Sequence, residues 1–173
     1  MKVLVLGGSK SGKSLWAQEQ CRRLADGERL VYWAAMQPTD AEDEERIRRH
    51  RAERAGWGFE TVECGAALDG QTVAADSTVL FDSVTALLSN EMFGAAFDAD
   101  AAENTATELL NLSRRVKHIV CVCDDIFRDG GEYELWTERY REGLAAVCRV
   151  LAAEFDIVCE LCARQVRVWK GSL

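Results

Sequence analysis

Proline is nearly missing from this chain of 173 residues: one is present, beside thirteen glycines. That composition excludes collagen-like and proline-rich disordered architectures. Long apolar runs are missing too. No stretch approaches the ~18 residues that a membrane-spanning helix needs. The opening MKVLVLGGSKSGKS has too few apolar residues before its glycines and lysines to be a secretory signal. A cytoplasmic protein without a membrane span is expected. A basic surplus is also lacking: 21 Lys and Arg stand against 29 Asp and Glu, a formal net charge of −8. General binders of nucleic acid or anionic membranes carry the opposite sign. No nucleic-acid partner is expected, and a local basic pocket stays open. Seven cysteines is an odd number, and without a secretory signal they are expected as reduced thiols.

What is present is ordinary globular material, 48% hydrophobic and 29% charged. A chain this long buries roughly two-thirds of its unfolded surface and needs no disulfide or metal staple. Strand-like apolar runs at Lys2–Leu6, Leu30–Ala35, Phe59–Cys64, Thr78–Phe81 and His118–Cys123 alternate with helix-like segments. The helices are expected at Lys13–Ala25, Thr39–Ala55, Ser83–Phe93, Ala101–Val116 and Glu132–Ala153, with Asp82 or Ser83 capping the third. Gly94 to Ala102 reads as a loop, and Asp156–Cys162 with Gln165–Trp169 as a closing pair of strands. Alternating strands and helices imply an α/β fold, a mostly parallel sheet with helices on both faces. With no repeat or linker, one domain over residues 1–173 is expected.

Gly7-Gly8-Ser9-Lys10-Ser11-Gly12-Lys13-Ser14 fits G-x-x-x-x-G-K-[ST] and lies between a strand and a helix. In such a loop backbone amides turn inward around phosphate. Lys13 reaches the β- and γ-phosphates, and Ser14 supplies a hydroxyl to Mg²⁺. Asp82 closes the apolar run TVLF, the place for a carboxylate that supports Mg²⁺. Helix capping is the other reading of Asp82, and Asp124-Asp125 after HIVCVC competes for the metal role.

Residues 41–55 read AEDEERIRRHRAERA, with acids first and arginines last and i,i+4 pairs such as Glu42–Arg46. One reading is a solvated helix. The other follows from Arg46, His50 and Arg54, which share a stripe at i, i+4 and i+8. Arginines keep the imidazole neutral and hold a phosphate against a nucleophilic ring. The remaining histidine, His118, begins a strand and reads as structural. Cys121 and Cys123 on one strand, and Cys159 and Cys162 on another, form a zinc site only if they converge. Buried thiols are the alternative.

KVLVL-GGSKSGKS, VYWAAMQ, RIRRHRAERAGWGFETVE and FDSVTALLSN together resemble the bifunctional adenosylcobinamide kinase / adenosylcobinamide-phosphate guanylyltransferase family of cobalamin synthesis. The resemblance runs nearly the full length in element order. It implies a RecA-like P-loop NTPase fold, a homotrimer, Mg²⁺, GTP or ATP as substrates, and a corrinoid acceptor. It makes His50, in Arg46-Ile47-Arg48-Arg49-His50, the carrier of a covalent guanylyl group. It sets Arg51 to Arg54, Glu63 and the strand end Ala34-Ala35-Met36 along the nucleotide, and Asp82 at the metal. Two activities follow: phosphorylation of adenosylcobinamide, then GMP transfer to its phosphate through guanylyl-histidine.

The chain also departs from the family pattern. Ser83 replaces a cysteine. Asp124-Asp125-Ile126-Phe127-Arg128-Asp129-Gly130-Gly131-Glu132 stands for N-E-V-G-x-G-[IV]-V-P, and Cys148-Arg149 for N-Q. A P-loop kinase of another small metabolite and a non-catalytic nucleotide-binding relative are the alternative readings.

Overall fold

The computed structural model describes residues 1–38, 45, 47, 48, 51, 52, 54–94, 97–128 and 130–173. The strands are β1 Lys2–Gly7, β2 Leu30–Ala34, β3 Phe59–Glu63, β4 Thr78–Asp82, β5 His118–Asp124, β6 Ile157–Cys162 and β7 Gln165–Lys170. They form one sheet in the order β3-β2-β4-β5-β1-β6-β7. All described neighbours are parallel except β7, which returns antiparallel along β6. The helices are α1 Lys13–Ala25, α2 Val84–Phe93, α3 Ala101–Arg115 and α4 Leu135–Glu154.

Successive strand residues point to opposite faces, so each central strand feeds two cores. Val3, Val5, Leu80, Val120 and Val122 meet Ala17 and Cys21 of α1. Leu4, Val79, Phe81, Ile119 and Cys121 meet Leu87, Leu109, Leu112, Leu144 and Val147 of α2, α3 and α4. Helices on both faces explain why the central strands are continuous apolar runs rather than alternating ones. Phe81 and Leu4 are fully buried, and shortening either to Ala costs about 2–5 kcal/mol.

Expected and observed elements differ at their ends. The strands β1, β4 and β5 run on to Gly7, Asp82 and Asp124, because Gly7 pairs with Asp124 and Asp82 with Ala34 and Val122. Helix α4 begins at Leu135, not Glu132, because Glu134 holds extended backbone at its N-cap and offers no side-chain cap. A 3₁₀ turn at Leu68–Gly70, unmarked in the sequence pattern, plugs the core with fully buried Leu68. The charged segment falls partly outside the described residues; Glu45, Ile47, Arg48, Arg51 and Ala52 are helical. No helix among the described residues is long and apolar enough to cross a membrane.

Candidate functional site

In open α/β sheets the crevice beyond the carboxyl ends of the strands is where ligands bind. Here that crevice is a cavity of about 1030 Å³ at the ends of β2, β4 and β5 and over the loop after β1. Ser9 to Ser14, Ala34, Met36, Arg51, Arg54, Glu63 and Asp82 all line it. The other residues singled out in the loop and β2, namely Gly7, Gly8 and Ala35, stay off its wall. Arg46 and His50 lie outside the described residues.

The loop between β1 and α1 is shaped by its backbone. Ser11 N donates to Gly8 O (3.2 Å) and Trp16 N to Gly12 O (3.1 Å). Gly12 sits at φ 94°, in the left-handed region, as the residue before α1. The turn between β6 and β7 braces it, with Arg164 N donating to Ser11 O (3.0 Å). Lys13 is 8% exposed. Its Nζ donates to Gly8 O at 3.2 Å and pairs with Asp124 Oδ1 at 2.7 Å.

Sheet register explains that partner. Asp124 stands beside Gly7 across one strand gap, whereas Asp82 pairs with Val122 one strand further out. Asp124 is held in turn: its N donates to Thr85 Oγ1 (2.9 Å), and Tyr140 OH donates to Thr85 O (2.8 Å). Burial pushes the Tyr140 phenol up, so it stays a donor. Asp82 has a different partner. Tyr32 OH donates to its Oδ2 at 2.7 Å. The cap of α2 is Ser83, whose Oγ accepts from Ala86 N, so the side chain of Asp82 is left to the cavity.

Arg54, on the charged segment, is 7% exposed, with Cζ 3.4 Å from the centre of the Tyr32 ring. Arg51 pairs with Glu63. Among the described residues the cavity carries six basic side chains, Lys10, Lys13, Arg48, Arg51, Arg54 and Arg164, against three acids, Glu63, Asp82 and Asp124. In a chain of net charge −8 this basic hollow focuses field on an anion. Among the described residues, two buried polar atoms of this cavity's lining, Ser11 Oγ and Arg54 Nη1, have no hydrogen-bond partner. An unpaired buried polar group costs about 1–3 kcal/mol, which an anionic ligand accepting from both would recover. Mg²⁺ takes one or two carboxylates and completes its shell with phosphate oxygens and water. Ser14, Asp82 and Asp124, all lining the cavity, are oxygen donors of that kind.

Residues 3–165 match the sequence model of the family described as cobinamide kinase / cobinamide phosphate guanyltransferase. The chain belongs to that family. It is 33% identical over 104 residues to the bifunctional adenosylcobalamin biosynthesis protein CobU of Salmonella typhimurium, covering 58% of this chain and 55% of that protein. It is 35% identical over 107 residues to the protein of the same description from Escherichia coli, covering 60% and 56%. These alignments span about half the length of the curated relatives. Two solved structures share the fold. FlaH of Methanocaldococcus jannaschii has a TM-score of 0.57 at 10% identity, covering 99% of this chain and 78% of that chain. A second solved structure, an ATPase domain, has a TM-score of 0.51 at 11% identity, covering 92% and 68%. The fold is thus the RecA-like P-loop fold.

The cysteines are free, and the two pairs do not converge. Strand β1 lies between β5 and β6, so Cys121 and Cys123 are two strand spacings, roughly 10 Å, from Cys159 and Cys162. Cys159 is buried and Cys162 exposed. Cys123 instead meets Cys148 of α4, Sγ to Sγ 3.5 Å. His118 is structural: its Nδ1 lies 2.7 Å from the Met1 amino group. Sequence reasoning missed Tyr32, Thr85, Tyr140 and Arg164, all on the cavity wall. A tyrosine on a buried strand carries no motif signal. Arg164 did leave one, since only Ala163-Arg164 separates two strand-like runs.

Proposed function

We propose that this chain performs both reactions of its family on a corrinoid acceptor, as a cytoplasmic homotrimer using GTP or ATP. The observation that carries the reading is the basic cavity built on the Walker-type loop, lined by Lys13 and two strand-end carboxylates. In the kinase step the amides of residues 7–14 cradle the triphosphate. Lys13 leaves Asp124 to meet the β- and γ-phosphates. The hydroxyl oxygen of adenosylcobinamide bonds to the γ-phosphorus, the bond from that phosphorus to its bridging oxygen breaks, and the nucleoside diphosphate leaves with the electron pair. Ser14 and Asp82 would hold Mg²⁺, which would supply charge neutralisation at the phosphates. Asp124, released by Lys13, takes the hydroxyl proton in this reading.

In the guanylyl step a ring nitrogen of His50 bonds to the α-phosphorus of GTP and pyrophosphate leaves. The phosphate of adenosylcobinamide phosphate then takes the guanylyl group, giving adenosylcobinamide-GDP and restoring the histidine. The covalent intermediate divides a transfer between two anions into two steps. Arg51, Arg54 and Glu63 line the nucleotide in this reading, with Ala34 to Met36 along its edge.

The test is incubation with α-labelled GTP followed by a denaturing gel. The expected adduct is acid-labile and base-stable, because protonating the ring nitrogen makes it a leaving group. His50→Ala abolishes the adduct and the guanylyl transfer while phosphorylation of adenosylcobinamide survives. Label persisting in His50→Ala overturns the histidine assignment. Phosphorylation with no adduct in the wild type leaves a kinase alone, and turnover of neither substrate leaves a non-catalytic nucleotide binder.

A further inference from the structure

The turn between β6 and β7 has two residues, Ala163 and Arg164, because Cys162 pairs with Gln165. Both sit in the left-handed region, at φ 48° and 62°. Tight hairpins of this kind favour Asn-Gly and Gly-Gly, since residues with a Cβ are strained there. The chain instead places an arginine at the second position. Strain of this sort persists where the surroundings over-determine it and gathers at functional sites.

Arg164 is tied to the loop before α1 twice. Its N donates to Ser11 O, and its side chain crosses Gly12 so closely that a Cβ on Gly12 would stand 3.0 Å from Arg164 Cγ. It lines the cavity together with Lys13 and Ser14. The other cavity cations apart from Lys10 are engaged: Lys13 with Asp124, Arg48 with Glu45, Arg51 with Glu63, and Arg54 on the Tyr32 ring. The guanidinium of Arg164 has no ion pair among the described residues. An unengaged, forked donor held over a phosphate loop by its own backbone suits one ligand chemistry, a phosphate oxygen.

We propose that Arg164 is a binding residue for the terminal phosphate of a nucleoside triphosphate, delivered over the loop by the β6–β7 turn. The proposal rests on the reading of the cavity as a nucleotide site. It makes Arg164 a discriminator of triphosphate from diphosphate, since only the triphosphate has the group it meets. It also accounts for a strained turn that glycine would relax.

The experiment compares calorimetric affinities for GTP and GDP, each with Mg²⁺, and thermal melting, in wild type, Arg164→Gly, Arg164→Gln and Ala163→Gly. Both glycine variants are expected to melt at or above the wild type, because each relaxes a positive φ. Arg164→Gly and Arg164→Gln are expected to lose about tenfold in GTP affinity with GDP affinity unchanged, the size of one charge-assisted contact. Ala163→Gly keeps both affinities. Arg164→Gln retains the side-chain stem and the turn, so it decides the matter even if glycine alters the hairpin. An unchanged GTP-to-GDP ratio in Arg164→Gln overturns the proposal while leaving the nucleotide site standing. A wild type that binds neither nucleotide overturns the site and the proposal together.

Discussion

Two loops meet at the carboxyl end of β1, and they are held by different means. Residues 8–12, between β1 and α1, are fixed by backbone bonds among near neighbours and by the left-handed Gly12. The loop after β5 is fixed by side chains. Arg128 pairs with Asp125 (Nε to Oδ2, 2.8 Å) and with Glu160 of β6 (Nη2 to Oε1, 2.7 Å), and Arg141 Nε donates to Ile126 O. Both reach the same lysine, since Asp125 N donates to Gly7 O and Asp124 pairs with Lys13. The first geometry leans on a left-handed position that glycine meets best, whereas Asp124 is held by the register of β5 against β1, so the loop beyond it can change sequence while its acid stays in place. That difference fits a motif intact before α1 and a departed pattern after β5.

The largest effect that breaks the comparison is Lys13→Ala. It removes the charge that both loops share and the phosphate contacts it makes in the proposed function. Nucleotide affinity is expected to fall about 10–100-fold, the worth of one or two charge-assisted bonds. Equal calorimetric affinities for wild type and variant would defeat this assignment.

Next comes the division of labour between the two acids. Asp82, bonded to Tyr32, is expected to support the metal, and Asp124 to hold Lys13 until phosphate arrives. Asp82→Asn should cut turnover about tenfold or more and change nucleotide affinity little. Asp124→Asn should not weaken nucleotide binding, because it frees Lys13. A crippling loss of turnover in Asp124→Asn with Asp82→Asn unaffected would reverse the roles.

A smaller effect separates the two anchoring modes. Gly12→Ala puts a Cβ at φ 94°, 3.0 Å from Arg164 Cγ. It is expected to cost about 1–3 kcal/mol of stability, the range for one non-glycine residue in a sparsely allowed region. Arg128→Ala, which removes an exposed ion pair of the side-chain-anchored loop, is expected to cost less. Thermal melting of the two variants checks the order.

The same contrast explains what could be read in advance. Strand and helix order was legible because buried strands are short apolar runs and helices carry their 3.6-residue period; those signals are local. The loop motif was legible because its constraints fall within eight residues. The partner of Lys13 was not. It depends on β5, rather than β4, lying beside β1, and nothing in Asp82 or Asp124 alone encodes sheet order. Tyr32 was hidden for a related reason. Its burial pattern matches Val31 and Trp33, and only pairing of Ala34 with Asp82 brings its hydroxyl to that carboxylate.

The smallest expected effect concerns the anchor at Glu160. The Arg128 guanidinium donating to Glu160 holds its carboxyl below the usual 4.5, with Trp169 Nε1 adding a second bond. A carboxylate whose folded pKa is depressed contributes stability that is present above its unfolded value and lost as pH falls through the folded one. The unfolded state then binds the proton more readily, so acid favours unfolding. Wild type should therefore exceed Arg128→Ala in melting temperature at pH 6, and the gap should close as pH drops below about 4.5. Arg128 is exposed, so salt should narrow the gap at pH 6 as well. Nucleotide affinity should barely change, because the backbone bond from Asp125 to Gly7 does not depend on Arg128. A gap that stays constant from pH 6 to pH 3 would show that Arg128 acts through packing, and the side-chain anchor of this loop would lose its electrostatic basis.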